Sequence, residues 1–410
     1  MKFEFVDEKE RYNAKIKVMG IGGAGGNAIN NMIASNLKGV DFIVANTDCQ
    51  DLDRSTCSYK IQLGPSVTMG LGAGADPEIG KLSCEESINE IRDAVENSDM
   101  VFITAGMGGG TGSGASPVAA RECRESGALT VAVVTRPFEF EGDKRMKRAM
   151  EGIERLKSEV DSLIVIPNER LKSLGGRNTS FKDLIARADE VLLKAVKGIS
   201  ELIISNGFIN LDFADVKRVM EQMGTAIMGM GSASGENRAA EAAQVAINSP
   251  LLEDISIGGA KGLLMNITGP SNMTMDEIDE ASNYIKGEVS QDAEIFWGVV
   301  FDDTLEDEIQ ITVIATGIDG DGSSTYSHRD KPDYTNVVKI RDVTPDEAEE
   351  NWTVKMNGVN LDTPTFQRRN KGLSGNPEQD QVKVDRKNMM GRLQLKDNLD
   401  YPTFLRAKAD

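Results

Sequence analysis

The chain has 410 residues, 40% of them hydrophobic, and a formal net charge of −19. That length supports two domains with a sizeable core plus a tail, and no apolar run approaches the roughly eighteen residues of a membrane span. Cys49, Cys57, Cys84 and Cys123 show no Cys-x-x-Cys spacing and the single histidine, His328, lies in a polar stretch, which excludes a disulfide framework, a zinc site and histidine-based acid–base chemistry in the folded body.

In chain order, residues 1–11 are charged and lack a secretory apolar stretch, so a flexible N-terminus and a cytoplasmic location are expected. Ile16 to Met19 reads as a strand. It enters the glycine loop Gly20 to Asn27, which opens a helix reaching Ile33. Val40 to Ala45 and Tyr59 to Leu63 are further strands, followed by a second glycine loop, Gly70 to Ala75. Pro77 starts a helix predicted to run to about Glu96. Met100 to Thr104, Leu129 to Thr135 and Leu163 to Ile166 are near-continuous apolar runs, as parallel strands covered on both faces should be. Strands alternating with helices predict a doubly wound parallel sheet over 12–182.

The run Val101 to Thr104 ends in Gly106, Gly108, Gly109, Gly110, Gly112 and Gly114, and Ser116-Pro117 is read as the start of the next helix. A strand, a glycine loop and a helix together make an anion cradle of converging N–H groups at a positive helix end. Thr111 and Ser113 add hydroxyl donors. No lysine follows, unlike the usual P-loop. The earlier loop satisfies Gly-x-Gly-x-x-Gly through Gly20, Gly22 and Gly25, which by itself reads as a dinucleotide fingerprint with Asp41 or Asp48 on the ribose. A second phosphate loop weighs against that oxidoreductase reading, because one pyrophosphate needs one glycine turn. Three glycine loops suit a triphosphate gripped from several sides.

Farther along, Leu184, Ala188, Val191, Leu192, Ala195, Ile199, Leu202 and Ile203 recur at helical spacing, predicting a long central helix over 183–206. Helices of about Glu236–Asn248 and Met275–Glu288, with strands at Leu263–Ile267, Ile295–Phe301 and Ile309–Ala315, predict a smaller α+β domain over 207–320. Residues 321–397 read as a disordered linker and 398–410 as a partner-binding peptide. Within the tail, Asn360–Arg368 and Asn398–Arg406 match at seven of nine positions. Charge divides unevenly: residues 323–410 hold 15 Lys/Arg against 14 Asp/Glu, leaving −20 on residues 1–322. So acidic a body disfavours nucleic acid and makes self-association depend on salt and divalent cations.

The Gly108 to Gly114 string resembles the signature loop of the tubulin/FtsZ GTPase family, and the resemblance extends over most of the chain. It implies a filament-forming GTPase of the division ring, using GTP/GDP and Mg²⁺. By that likeness Gly22, Gly23, Ala24, Gly25, Gly26, Asn27, Gly72, Ala73, Gly106, Gly108, Gly109, Gly110, Thr111 and Gly112 hold the phosphates. Glu141 binds the ribose and Arg145 lies near the phosphates, although locally this reads as a charged loop opening a helix. Asn168 and Asp189 read the base, a carboxylate being able to accept guanine's paired N1–H and 2-amino donors, whereas Asp189 alone would pass for an ordinary helix carboxylate. Ile185 stands where the family often has a stacking phenylalanine. The stretch 207–216 resembles the family's activating loop, in which Asn210, Asp212 and Asp215 complete the neighbouring subunit's site. Local sequence alone equally supports Asp212 as an N-cap with Asp215 in a capping box. A head-to-tail homopolymer follows. Leu399–Arg406, and in a bivalent reading also Leu361–Arg368, would dock membrane-tethering and regulatory division proteins at mid-cell, without nucleic acid and without direct membrane insertion. A tubulin-like binding protein that neither polymerises nor hydrolyses is the other alternative, and would require an impaired activating loop.

Overall fold

The computed structural model describes residues 14–172, 180–204, 211–221, 224–252 and 257–318. The expected N-terminal arm, the linker and both tail peptides lie outside them. In chain order the elements are β1 (Ile16–Ile21), α1 (Gly22–Ala34), β2 (Val40–Asn46), α2 (Cys49–Arg54), β3 (Tyr59–Gln62), α3 (Pro65–Thr68), α4 (Pro77–Glu86), α5 (Ile88–Val95), β4 (Met100–Gly106), α6 (Gly110–Glu125), β5 (Leu129–Arg136), α7 (Asp143–Lys157), β6 (Ser162–Pro167) and α8 (Asn168–Leu171). There follow α9 (Phe181–Ile204), α10 (Phe213–Met220), β7 (Gly224–Ser234), α11 (Arg238–Ile247), β8 (Gly262–Gly269), α12 (Met275–Glu288), β9 (Glu294–Phe301) and β10 (Glu308–Thr316).

These strands form one ten-stranded sheet in the order β3-β2-β1-β4-β5-β6-β7-β10-β8-β9. From β3 to β7 every neighbouring pair is parallel. The parallel strands are apolar on both faces because both are covered. On β4, Met100 and Phe102 enter a core beneath α1, α9 and α10, while Val101, Ile103 and Ala105 enter another beneath α5, α6 and α7. The predicted doubly wound sheet is therefore present, and β10, antiparallel to β7 and β8, gives the second half its mixed character. The halves share the sheet through three β6–β7 pairs, Ser162 to Ile164 against Gly224 to Ala226. Helix α9 lies across that junction. Its buried stripe runs from Ala188 to Leu202, and Gly198 presses on Thr312 of β10.

Three local expectations are corrected. The helix from Pro77 to Glu96 is broken at Ser87, whose hydroxyl donates to the Gln62 carbonyl and accepts the Gly64 N–H, both at 3.1 Å. Pro117 does not start a helix. It lies inside α6, which begins at Gly110, so the glycine loop itself is the first helical turn. Strand β7 was not anticipated, because its Gly- and Met-rich sequence carries little β signal. The glycines are there for close packing: a Cβ on Gly231 would stand 2.1 Å from the Ala242 carbonyl oxygen of α11.

The second half is pinned by one buried cation. Arg238, at the start of α11 and 5% exposed, donates to Glu277 at 2.7 Å, to Asp307 at 2.8 Å and to Asn272 at 3.2 Å. Glu277 also closes the capping box of α12, accepting the Thr274 N–H at 2.7 Å. The Arg238 guanidinium is the main reason that the Glu277 carboxyl is held below its usual range. Arg238→Ala would leave that carboxylate with a cation missing. A loss of about 3–5 kcal/mol at neutral pH is expected by urea unfolding. Glu277's own contribution in the native chain is present above the ordinary carboxylate pKa and fades as pH falls through its depressed value, so the gap between variant and native chain should narrow in acid.

Candidate nucleotide site

The chain runs outward from β1 to β2 and β3, then returns to lay β4 on the other side of β1. Strand order reverses there, and open α/β sheets bind ligands in the crevice outside the carboxyl ends of such strands. Both phosphate-type loops occupy it. β1 passes directly into α1 at Gly22, and β4 reaches α6 through Met107 to Gly109. Two helix N-termini with unspent N–H groups open side by side.

The loops interlock backbone to backbone. A Cβ on Gly25 would stand 2.5 Å from the Thr104 carbonyl oxygen, and one on Gly112 2.4 Å from the Gly106 carbonyl oxygen. Gly109, by contrast, has nothing within 4 Å of its would-be Cβ. Gly23, Ala24 and Asn27 are exposed and Gly26 is partly so. The Thr111 hydroxyl lies 2.6 Å from that of Thr47, which ties the loop after β2 to α6. Ser113 is buried, and its hydroxyl accepts the Gly108 N–H at 2.7 Å, bracing the loop from inside.

The third glycine loop is folded onto the end of β2. Gly70 O accepts the Cys49 N–H at 3.0 Å, and the Gly72 N–H donates to Thr47 O at 3.1 Å. Ala73 is buried against Gly110, and Arg148 of α7 donates to the Ala75 carbonyl oxygen. Gly72 and Ala73 thus shape the loop from inside. Asp48 is spent as the N-cap of α2, accepting the Gln50 N–H at 2.9 Å, and Asp41 sits near the start of β2, away from the crevice. Asp41 is therefore not placed as the ribose carboxylate that a dinucleotide enzyme needs.

Glu141 and Arg145 pair at 3.1 Å, with Glu141 also accepting the Phe138 N–H at 2.9 Å. Arg145 backs onto Gly108, whose would-be Cβ falls 2.8 Å from Arg145 Cγ, so the pair lies beside the phosphate loop. At the end of β6, Asn168 is 8% exposed and its Oδ1 has no hydrogen-bond partner among the described residues. An orphaned buried acceptor at the mouth of a crevice suits a ligand donor. Asp189 is half-buried on α9 and accepts from Asn31 Nδ2 of α1 at 3.2 Å. Burial pushes its carboxyl up to about 6, the Asn31 hydrogen bond opposing the rise. Asn31, Thr47 and Arg148 were not anticipated. Asn31 follows Asn27 by one helical turn, a spacing that the sequence displays; the other two depend on tertiary contacts.

The acidic loop is elsewhere. Asp212 caps α10, its Oδ1 accepting the Asp215 N–H at 2.8 Å, so the local reading of a cap is met. Asn210 lies outside the described residues. α10 leads into Gly224, the first residue of β7, which pairs with Ser162, the first residue of β6. The Val219 carbonyl accepts from Thr316 Oγ1 at 3.1 Å. Asp212 and Asp215 therefore belong to the edge where the parallel strands begin, and the glycine loops to the edge where they end. A strand of six or seven residues separates the two by about 20 Å.

Comparison with known proteins agrees with this architecture. Residues 15–176 match the tubulin/FtsZ family GTPase domain, and residues 224–319 the FtsZ family C-terminal domain. The cell division protein FtsZ of Rickettsia conorii is 54% identical over 327 residues, covering 79% of this chain and 72% of that protein. Bartonella bacilliformis FtsZ is 56% identical over 305 residues, 74% of this chain and 52% of that one. The solved M. jannaschii FtsZ dimer superposes with a TM-score of 0.73 at 46% identity, covering 76% of this chain and 90% of that one. These matches overturn the oxidoreductase reading.

Asp189 gives two opposed effects of one group. Its folded pKa is raised, so its contribution to stability is present below the unfolded value and is lost as pH rises through about 6. If Asp189 accepts guanine's donors, as the resemblance implies, it must do so in its ionised form, and nucleotide affinity should then climb over that same interval. Asp189→Asn is expected to raise the melting temperature of the nucleotide-free chain at pH 7, to weaken GDP binding at least tenfold, and to abolish the pH step. A thermal scan of the nucleotide-free chain checks the first, and calorimetric titration at about pH 5 and pH 7 the other two.

Proposed function

This chain belongs to the FtsZ family of tubulin-like GTPases, and from that premise we propose that it assembles with GTP into head-to-tail filaments that form the ring at the site of cell division. A nucleotide-binding domain (12–182) holds the triphosphate. A central helix (183–206) carries the base-reading carboxylate, and an activation domain (207–320) presents Asn210, Asp212 and Asp215 to the next subunit. The observation that supports this is the placement of Asp212 and Asp215 and of the phosphate loops at opposite edges of one sheet. Within a single chain they do not meet. Stacked head to tail, the end of one sheet faces the start of the next, and such a heterologous contact propagates.

The chemistry fits the separation. In GTP hydrolysis a water must be oriented and polarised toward the terminal phosphate. Asp212 and Asp215 hold that water, with Asn210 beside them. Two carboxylates kept permanently beside a triphosphate would repel it, so bringing them from another subunit makes hydrolysis follow assembly. Mg²⁺, when bound with the nucleotide, would offset phosphate charge. Among the described residues no group of three or more His, Cys, Asp or Glu side chains could cage a metal. Glycine-loop N–H groups and Thr111 hold the phosphates, Glu141 the ribose, Arg145 the phosphate edge, and Asn168 and Asp189 the guanine. Met69 and Leu71, 79% and 82% exposed on the rim of the third glycine loop, give that face apolar surface for the neighbouring subunit.

Among the described residues no helix is long and apolar enough to cross a membrane. The membrane is reached at mid-cell, on its cytoplasmic side, through proteins that grip Leu399–Arg406. Leu361–Arg368 serves as a second grip, and two weak sites on one tether raise avidity along a filament. The carrying experiment is GTP turnover per molecule against protein concentration with Mg²⁺. Turnover should stay near zero and then rise above a threshold; a concentration-independent rate removes the shared site. Mixing Asp212→Ala with Asp189→Ala chains should recover part of the activity that each lacks, because one of the mixed interfaces is intact. For the tail, peptides 357–371 and 395–410 should each bind the same tether, and silence from the first leaves a single grip.

A further inference from the structure

A group of aromatic side chains stands beside the crevice, two of them turned largely to solvent. Phe140 and Phe181 are 59% and 61% exposed. Their rings meet edge to face, centroids 5.8 Å apart, and Phe140 stacks on buried Phe138 at 5.1 Å. Lys172 Nζ stands 5.5 Å from the Phe140 centroid and 5.8 Å from that of Phe138, and pairs with Glu169 at 2.5 Å. Glu169 in turn accepts the Glu139 N–H at 3.1 Å. These contacts fasten three segments to one another: the loop before α7, the short helix α8, and the first turn of α9.

The same loop carries Glu141, α8 carries Asn168, and α9 carries Asp189 two turns beyond Phe181. Phe140 is the residue before Glu141. Asn168 opens α8, its buried Oδ1 still lacking a donor. Phe181, Ile185 and Asp189 follow one another at intervals of four on α9, hence along one face of the helix. From Asp189 the helix reaches Ile185 after one turn and Phe181 after two, about 12 Å. A guanosine whose base edge meets Asp189 and whose sugar meets Glu141 lies along that stripe, with an aliphatic side chain under the base and exposed aromatic faces at the sugar end.

We propose that Phe140 and Phe181 form an aromatic wall that packs on the sugar-side edge of bound guanosine, a binding contact for guanine nucleotides supplied by the first turn of α9 and the loop before α7. This rests on the nucleotide placement proposed above. The wall offers large, rigid apolar surface to a flat ligand; Lys172 holds Phe140 through cation–π contact, and Phe140 meets Phe181 edge to face.

The test uses the full chain, below its assembly threshold, with mant-GDP, whose fluorophore hangs from the ribose, and with unlabelled GDP as competitor. Phe181→Ala should weaken both about five- to tenfold and cut the fluorescence gain on binding, with the melting temperature of the empty chain unchanged. Phe181→Tyr should bind as the native chain does; Phe181→Leu should fall between. Asp189→Ala is run in parallel. If it loses guanine preference while Phe181→Ala and Phe140→Ala bind normally, the wall is wrong and the nucleotide placement stands. If Asp189→Ala also binds normally, the placement fails and the wall fails with it.

Discussion

Everything at the crevice depends on how closely two backbones approach. The N-terminal turn of α1 lies on the end of β4, and the first turn of α6 lies on the loop that leaves β4. Neither contact leaves room for a side chain. Hydrogen at Gly25 and Gly112 is therefore a packing requirement, and the phosphate-facing N–H groups are a by-product of satisfying it. Because two helices start from strands that are adjacent, their positive ends add within one small volume. A single glycine turn, as in dinucleotide folds, would give half of that.

A second constraint is the depth of the sheet. Its parallel strands all begin at one edge and end at the other, so a residue's position along its strand decides which edge it serves. In the reading offered here binding and triggering residues fall on opposite edges, and a sheet's depth of backbone separates them within one chain. Like charges that would repel a triphosphate are kept away from it until a neighbour arrives. The acidic body adds a general repulsion that cations must screen. Assembly, on this account, is governed by the same electrostatics that restrains hydrolysis.

Much of this architecture was legible in the sequence. Strands covered on both faces announce themselves by uninterrupted apolar runs, as Leu129 to Thr135 does. Glycine loops between a strand and a helix are equally visible, and so were the long helix and the α+β second half. The illegible parts share a cause, which is that their explanation lies in another segment. β7 looked like no strand because α11 presses on it so closely that glycine replaces the β-branched residues that would have marked it. Ser87 breaks a helix because β3 supplies the hydrogen bonds that its hydroxyl uses. Pro117 satisfies a sound local rule for a helix start, yet the glycines before it are themselves helical, held so by α4 packed along them. At the site, Asn168 and Asp189 were readable only through a family likeness. The orphaned Oδ1 of one and the burial of the other are facts of packing that no local pattern displays.

Asp189 and Asn168 have an implication for the lifetime of the chain. Both are costly when the crevice is empty, one as a carboxylate pushed out of water, the other as an acceptor without a donor. Whatever satisfies them stabilises the native state by mass action. On the nucleotide placement proposed above, subunits that have let go of nucleotide would be the ones that open most often. A protease patrolling the cell would meet mainly these, so the pool of intact chains follows the supply of guanine nucleotide without a dedicated sensor.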